Sequence, residues 1–92
     1  MIHFLVHGET DNVAVAVVDV SKGDACRAKN METGKEFDVS ALSDIPLGHK
    51  VALTDFSTDD TVIKYDHDIG RVVKSIKKGE HVHVHNIKTK RW

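Results

Sequence analysis

One six-residue pattern recurs three times and limits what this chain can fold into. Asp19-Val20-Ser21-Lys22-Gly23-Asp24, Asp44-Ile45-Pro46-Leu47-Gly48-His49 and Ser75-Ile76-Lys77-Lys78-Gly79-Glu80 each read polar, β-branched, two variable residues, Gly, polar. Each predicts a corner whose branched residue plugs the core and whose Gly adopts a backbone shape other residues resist. The glycines lie 25 and 31 residues apart, so the repeat is irregular and no solenoid follows. Corners this frequent leave room only for short segments. Ile2 to Val6, Val13 to Val18, Lys50 to Thr54, Thr61 to Tyr65, Arg71 to Val73 and Glu80 to His85 read as strands. The run Val13 to Val18 suits a strand buried on both faces, with Val15 inside. Asn30 to Lys35 reads as a hairpin tip around Gly34, and Ser40 to Ser43 as a single helical turn. The expectation is one all-β domain over residues 1–92, without linker or internal boundary.

Composition narrows the function. Thirteen Lys plus Arg against fourteen Asp plus Glu gives a net charge of −1, which argues against a general nucleic-acid binder. The residues from Ile87 to Trp92 still form a small basic tail. No apolar run approaches the roughly 20 residues that cross a bilayer. The start has no basic region followed by a long apolar one, so no signal peptide is expected. A single cysteine, Cys26, excludes an internal disulfide and points to the cytoplasm. There is no phosphate loop, no CxxC pair, no HExxH helix and no nucleophile elbow.

Histidine is the unusual residue: seven, against five aromatics. In Glu80-His81-Val82-His83-Val84-His85-Asn86 the histidines alternate with valines. On a strand, His81, His83 and His85 would share one face and Val82 and Val84 the other. Imidazoles about 6.6 Å apart at Cα can converge on one metal or move protons near pH 7, and they can equally form a solvated face. Leu47-Gly48-His49-Lys50 offers a second group, a base and a cation beside a tight turn. Tyr65-Asp66-His67-Asp68 reads mainly as a polar hairpin, and His3 and His7 mainly as structural residues. The chain supplies histidine donors without a complete catalytic set, and it is too small to enclose a polar substrate alone. A partner protein would resolve both deficits.

Asp11-Asn12-Val13-Ala14-Val15-Ala16, Leu47 to Leu53, Val62-Ile63-Lys64-Tyr65 with Ile69-Gly70, and Gly79 to Asn86 together resemble the N-terminal SAF-type domain of altronate and galactarate dehydratases. The likeness covers nearly the whole chain in order and approximate spacing. In that family the domain is fused ahead of a large catalytic domain or made as a separate small subunit; the Met start and the stop at Trp92 suit the separate form. The ending His85 to Trp92 is more similar to members that eliminate a sulfonate than to those acting on sugar acids. The stretch Asn30 to Lys35 and the turn Asp66-His67-Asp68 also depart from the sugar-acid type.

The resemblance implies a β-clip fold, a divalent metal (usually Fe2+), and a lyase acting by β-elimination on a small anionic 2-hydroxy acid, with C3 losing bisulfite or water. It implies a large catalytic subunit as partner, without which little activity is expected. On this reading His49, His83 and His85 are the candidates for catalysis, His83 and His85 for metal contact, and Lys50 and Asn86 for substrate binding. A sugar-acid dehydratase subunit, a non-catalytic SAF binding module and a metal-storage protein remain as alternatives.

Overall fold

The computed structural model describes residues 1–89, and the end of the basic tail, 90–92, lies outside them. Nine strands are present and no helix is formed among the described residues. They are β1 (Phe4–Val6), β2 (Val13–Ala16), β3 (Ala25–Asn30), β4 (Glu36–Ser40), β5 (Lys50–Ala52), β6 (Thr61–Lys64), β7 (His67–Val72), β8 (His81–Val82) and β9 (Ile87–Lys88). Six build a sheet in the order β4-β3-β1-β2-β5-β8, and β6-β7-β9 build a second. Among the described residues only the β1–β3 pair runs parallel. No described helix is long and apolar enough to cross a membrane.

The recurring corners organise this topology. Gly23, Gly48 and Gly79 all have positive φ, at 94°, 86° and 92°. Their branched residues Val20, Ile45 and Ile76 are buried. The corners associate in pairs. Val20 and Ile45 exchange backbone hydrogen bonds at 2.9 and 2.8 Å. The Asp19 carboxylate accepts from Leu47 N–H and the Asp44 carboxylate from Lys22 N–H, both at 2.8 Å. Each corner thus caps the other with one acid. Ile76 pairs in the same way with Phe56, which belongs to a fourth corner the sequence pattern did not show. There Asp59 takes the glycine position with φ 77°, and Asp55 accepts from Lys78 N–H at 2.8 Å.

Two cores result. Phe4, Val6, Ala14, Ala16, Val20, Ile45 and Val51 fill one, and Val13, Ala52, Phe56, Val62, Val72, Ile76 and Val82 the other. β2 lies between them, because Val13 faces one core and Ala14 the other. This agrees with a central strand, but β2 stops at Ala16 and Val15 is only partly buried. Asn12 ties the second sheet to β2. Its Oδ1 accepts from Ile63 N–H at 2.7 Å, its Nδ2 donates to Thr61 O at 3.0 Å, and its carbonyl accepts from Leu53 N–H at 2.9 Å.

Two expected elements are corrected. Ser40 to Ser43 is no helical turn: Ser40 ends β4, and Ala41 and Leu42 donate to the distant carbonyls of Asp24 and Gly79. Those long-range bonds tie residues 41 and 42 to other segments in place of a local turn. The strand Glu80 to His85 ends at Val82. Asn86 ends it, because its Oδ1 accepts from His83 N–H at 3.0 Å and its Nδ2 donates to His81 O at 2.7 Å.

Candidate metal centre

Three turns of sequence logic bring three imidazoles together. Gly48 closes the second corner and delivers His49 immediately before β5. β5 pairs with β8, with Val51 opposite His81 and Lys50 opposite Val82. His49 and His81 therefore project to the same side of the ladder, as alternation requires. The Asn86-closed turn then folds His83 back over them. His49 Nδ1 lies 2.8 Å from His81 Nε2, so one of the two nitrogens carries the proton. The His49 and His83 rings stack with centroids 4.0 Å apart. One ligand nitrogen from each of His49, His81 and His83 falls within 4.8 Å of the others, and all three residues are partly buried.

The donor set fits a transition-metal ion. Metal–imidazole bonds of about 2.1 Å place neighbouring donors roughly 3–3.5 Å apart. The ligand nitrogens lie within 4.8 Å of one another, so the stacked rings would have to turn and close in to reach that. Neutral imidazole is the ligating form, and the site favours it. His81 is lowered to about 4, first by burial and then by His85, His49, His83 and Lys50. Burial, followed by His49, Lys50 and His85, also lowers His83. The three rings bring no negative charge, and soft or borderline ions such as Fe2+, Zn2+ and Ni2+ accept such sets alike.

The single shared strand face for His81, His83 and His85 does not form. His85 sits in the turn, exposed, with its ring 5.1 Å from that of His81 and tilted by 35°. Val84, expected opposite the histidines and inward, is 80% exposed, whereas Val82 is fully buried. The structure thus groups His49 with His81 and His83 and leaves His85 beside them. Asn86 is 6% exposed and both ends of its amide are engaged within the turn, so it positions the histidines. Lys50 is half-buried and, opposite Val82, on the other side of the ladder from His49 and His81; burial and then Lys64 lower its ammonium.

The other histidines lie elsewhere in the fold. His3 Nδ1 accepts from Arg27 N–H at 3.0 Å, and His7 stacks on Tyr65 at 4.2 Å. Tyr65 and Asp66 are the two-residue tip of the β6–β7 hairpin, both with positive φ, and His67 is exposed beside it. Cys26 is buried, and burial and Asp24 raise its thiol, which does not suit a nucleophile.

Residues 2–90 match the family described as the altronate/galactarate dehydratase SAF domain. The chain belongs to that family. It is 50% identical to the (2R)-sulfolactate sulfo-lyase subunit alpha of Chromohalobacter salexigens, over 99% of this chain and 98% of that one. With the protein of the same name from Paracoccus pantotrophus it shares 56% identity over 62% of this chain and 85% of that one. The altronate dehydratase of Bacillus subtilis is 36% identical over 94% of this chain, which spans only 16% of that enzyme. Within this SAF domain the His49–His81 contact was legible only in part. The alternation around His81 marks it as ligand-competent, but its partner depends on the β5–β8 pairing, which no local signal announces.

Proposed function

We propose that this chain is the small subunit of a cytoplasmic, metal-dependent 2-hydroxy-acid lyase that converts (2R)-sulfolactate to pyruvate and bisulfite together with a large catalytic subunit. The observation that carries the reading is the 50% identity over 98% of a relative named as a sulfo-lyase subunit alpha. The grouping of His49, His81 and His83 supports it chemically. The free, buried Cys26 suits a reducing compartment.

The reaction removes the C2 proton, forms the C2–C3 double bond and breaks the C3–S bond, so the electron pair leaves with sulfite. The enol gains a proton at C3, loses its hydroxyl proton and becomes pyruvate. His49, His81 and His83 would hold a divalent ion, which supplies Lewis-acid stabilisation for the charge that develops on the carboxylate. His85, exposed and beside His81, is placed to carry a proton on an imidazole nitrogen. Lys50 attracts the anionic substrate. Asn86 keeps His83 folded over His81. The large subunit supplies the walls and ligands that complete the site.

The test is co-expression with the large subunit and measurement of sulfite and pyruvate from (2R)-sulfolactate. Product should require both chains. Full turnover by either chain alone, or dehydration of altronate in place of sulfite release, would overturn the reading.

A further inference from the structure

The four corners share one hydrogen-bond rule, and the corner that carries His49 keeps only half of it. In each, the sixth residue donates its backbone N–H to the carbonyl of the third: Asp24 to Ser21 at 3.0 Å, His49 to Pro46 at 2.9 Å, Asp60 to Ser57 at 3.1 Å and Glu80 to Lys77 at 2.9 Å. In three corners the sixth side chain also accepts from the third residue's N–H. Asp24 Oδ2 accepts from Ser21 at 2.9 Å, Asp60 Oδ2 from Ser57 at 2.7 Å and Glu80 Oε1 from Lys77 at 2.6 Å. Those side chains are folded back on their own corners. In the remaining corner the third residue is Pro46, which has no N–H to give. Its sixth residue is His49, whose Nδ1 lies instead 2.8 Å from His81 Nε2. The chain has one proline, and it stands in the one corner whose sixth residue is not an acid.

An imidazole fits the carboxylate's place in such a corner. Its Nδ1 occupies the same branch position as an aspartate Oδ, and a ring nitrogen that carries no proton accepts a backbone N–H. This chain contains an example: His3 Nδ1 accepts from Arg27 N–H at 3.0 Å. A backbone donor at position 46 would therefore compete for the nitrogen that meets His81. We propose that Pro46 is a positioning residue for the metal centre: by withholding the donor that the other corners supply, it frees His49 Nδ1 for His81 and for a metal ion. The inference rests on the reading of His49, His81 and His83 as that centre, and it adds Pro46, an exposed residue. Pro46 acts through His49, as groups behind a metal ligand commonly do.

The experiment uses the full 92-residue chain, metal-free in one arm and with Co2+ as probe in the other. In metal-free Pro46→Ala, nitrogen-15 NMR should show coupling across a hydrogen bond from the position-46 amide to His49 Nδ1. Co2+ should bind that variant about three- to tenfold more weakly, because His49 then divides between the new donor and His81. N-methylalanine at position 46, introduced by chemical ligation, lacks both the N–H and the proline ring. It should bind Co2+ within about twofold of the wild type, which separates the missing donor from the ring's stiffness. Pro46→Ala combined with His49→Asp rebuilds the rule of the other corners. In urea, its folding constant should exceed the product expected from the two single changes by at least about fivefold. Co2+ affinity unchanged in Pro46→Ala, N-methylalanine as weak as alanine, or additive stabilities would each overturn the proposal. A wild type that binds no Co2+ would overturn the metal centre, while the amide–Nδ1 coupling in metal-free Pro46→Ala would still uphold the freeing of His49. Should Pro46→Ala fail to fold, Asp24→His carries the test. Beside the intact Ser21 N–H the introduced imidazole should show the same coupling, and with Ser21→Pro added it should not.

Discussion

The three glycine corners allow one calculation to separate backbone shape from crowding. Gly23, Gly48 and Gly79 share nearly the same φ, yet a Cβ meets nothing within 4 Å at Gly23 or Gly48. At Gly79 it collides with the Ser40 carbonyl oxygen and comes within 3.3 Å of Leu42. Retreat is blocked, because Gly79 N–H donates to Ala52 O and Gly79 O accepts from Leu42 N–H, both at 2.9 Å. An alanine at positive φ costs about 1–2 kcal/mol, and the stiffer unfolded chain returns about 0.4–1. Gly23→Ala and Gly48→Ala should therefore lose about 0.5–1.5 kcal/mol each. Gly79→Ala adds about 1–3 kcal/mol of overpacking and about 1 for a weakened hydrogen bond, giving about 3–5 in total. A domain of this size holds roughly 5–14 kcal/mol, so the third variant should sit near the edge of folding. Urea unfolding followed by far-ultraviolet circular dichroism reads the difference as a midpoint shift at constant slope. If Gly79→Ala lies within about 0.5 kcal/mol of Gly23→Ala, the close approach of Ser40 is not a constraint and the reasoning fails. Gly48→Ala has a second consequence: it should also weaken Co2+ binding, because it aims His49, whereas Gly23→Ala should not.

His49→Ala, His81→Ala and His83→Ala should each weaken Co2+ binding at least tenfold (about 1.4 kcal/mol), and His85→Ala by less than about threefold, as read by cobalt absorption titration. Lowering the pH should destabilise the metal-free chain as His81 is drawn on. With a folded value of about 4 against 6.5, the unfolded state binds the extra proton between those values. Stability is thus full above pH 6.5 and falls toward pH 4, and His81→Gln should flatten that part of the profile in chelator-treated samples. Val82→Ala should cost about 1–3 kcal/mol for a lost buried side chain, whereas exposed Val84→Ala should stay within about 0.5 in urea titrations.

Much of the architecture is legible because the corners are written locally. A β-branched plug and a glycine at fixed spacing specify a turn without reference to the rest of the chain, and Val20, Ile45 and Ile76 are buried accordingly. The fourth corner escapes the pattern because Asp59 stands where glycine stands elsewhere. Its signal was Ser57 with Asp60, whose carboxylate accepts from Ser57 N–H at 2.7 Å, as Asp24 does from Ser21 N–H at 2.9 Å. The hairpin tip at Asn30 to Lys35 is readable, yet the strands it joins are not obvious. β3 and β4 alternate small Cys26 and Ala28, and Phe37 and Val39, with charged neighbours, and that weak apolar signal gains weight only once β3 lies beside β1.

The candidate site shows the limit of one-dimensional reading. Alternation at His81, His83 and His85 is a true period of two, but Asn86 supplies two hydrogen bonds that a turn can satisfy and a strand cannot. A local amide network therefore overrode a side-chain pattern. Val84, expected inward, turns outward as the direct cost of that turn. Of the candidates His49, His83 and His85, the structure groups the first two and adds His81 in place of His85; His81 lies 32 residues from His49, and the antiparallel β5–β8 register brings its Nε2 to 2.8 Å from His49 Nδ1. The same register sets Lys50 with Val82 on the other side of the ladder. Sequence proximity thus supplied the chemistry of each residue, while long-range pairing decided which residues act together.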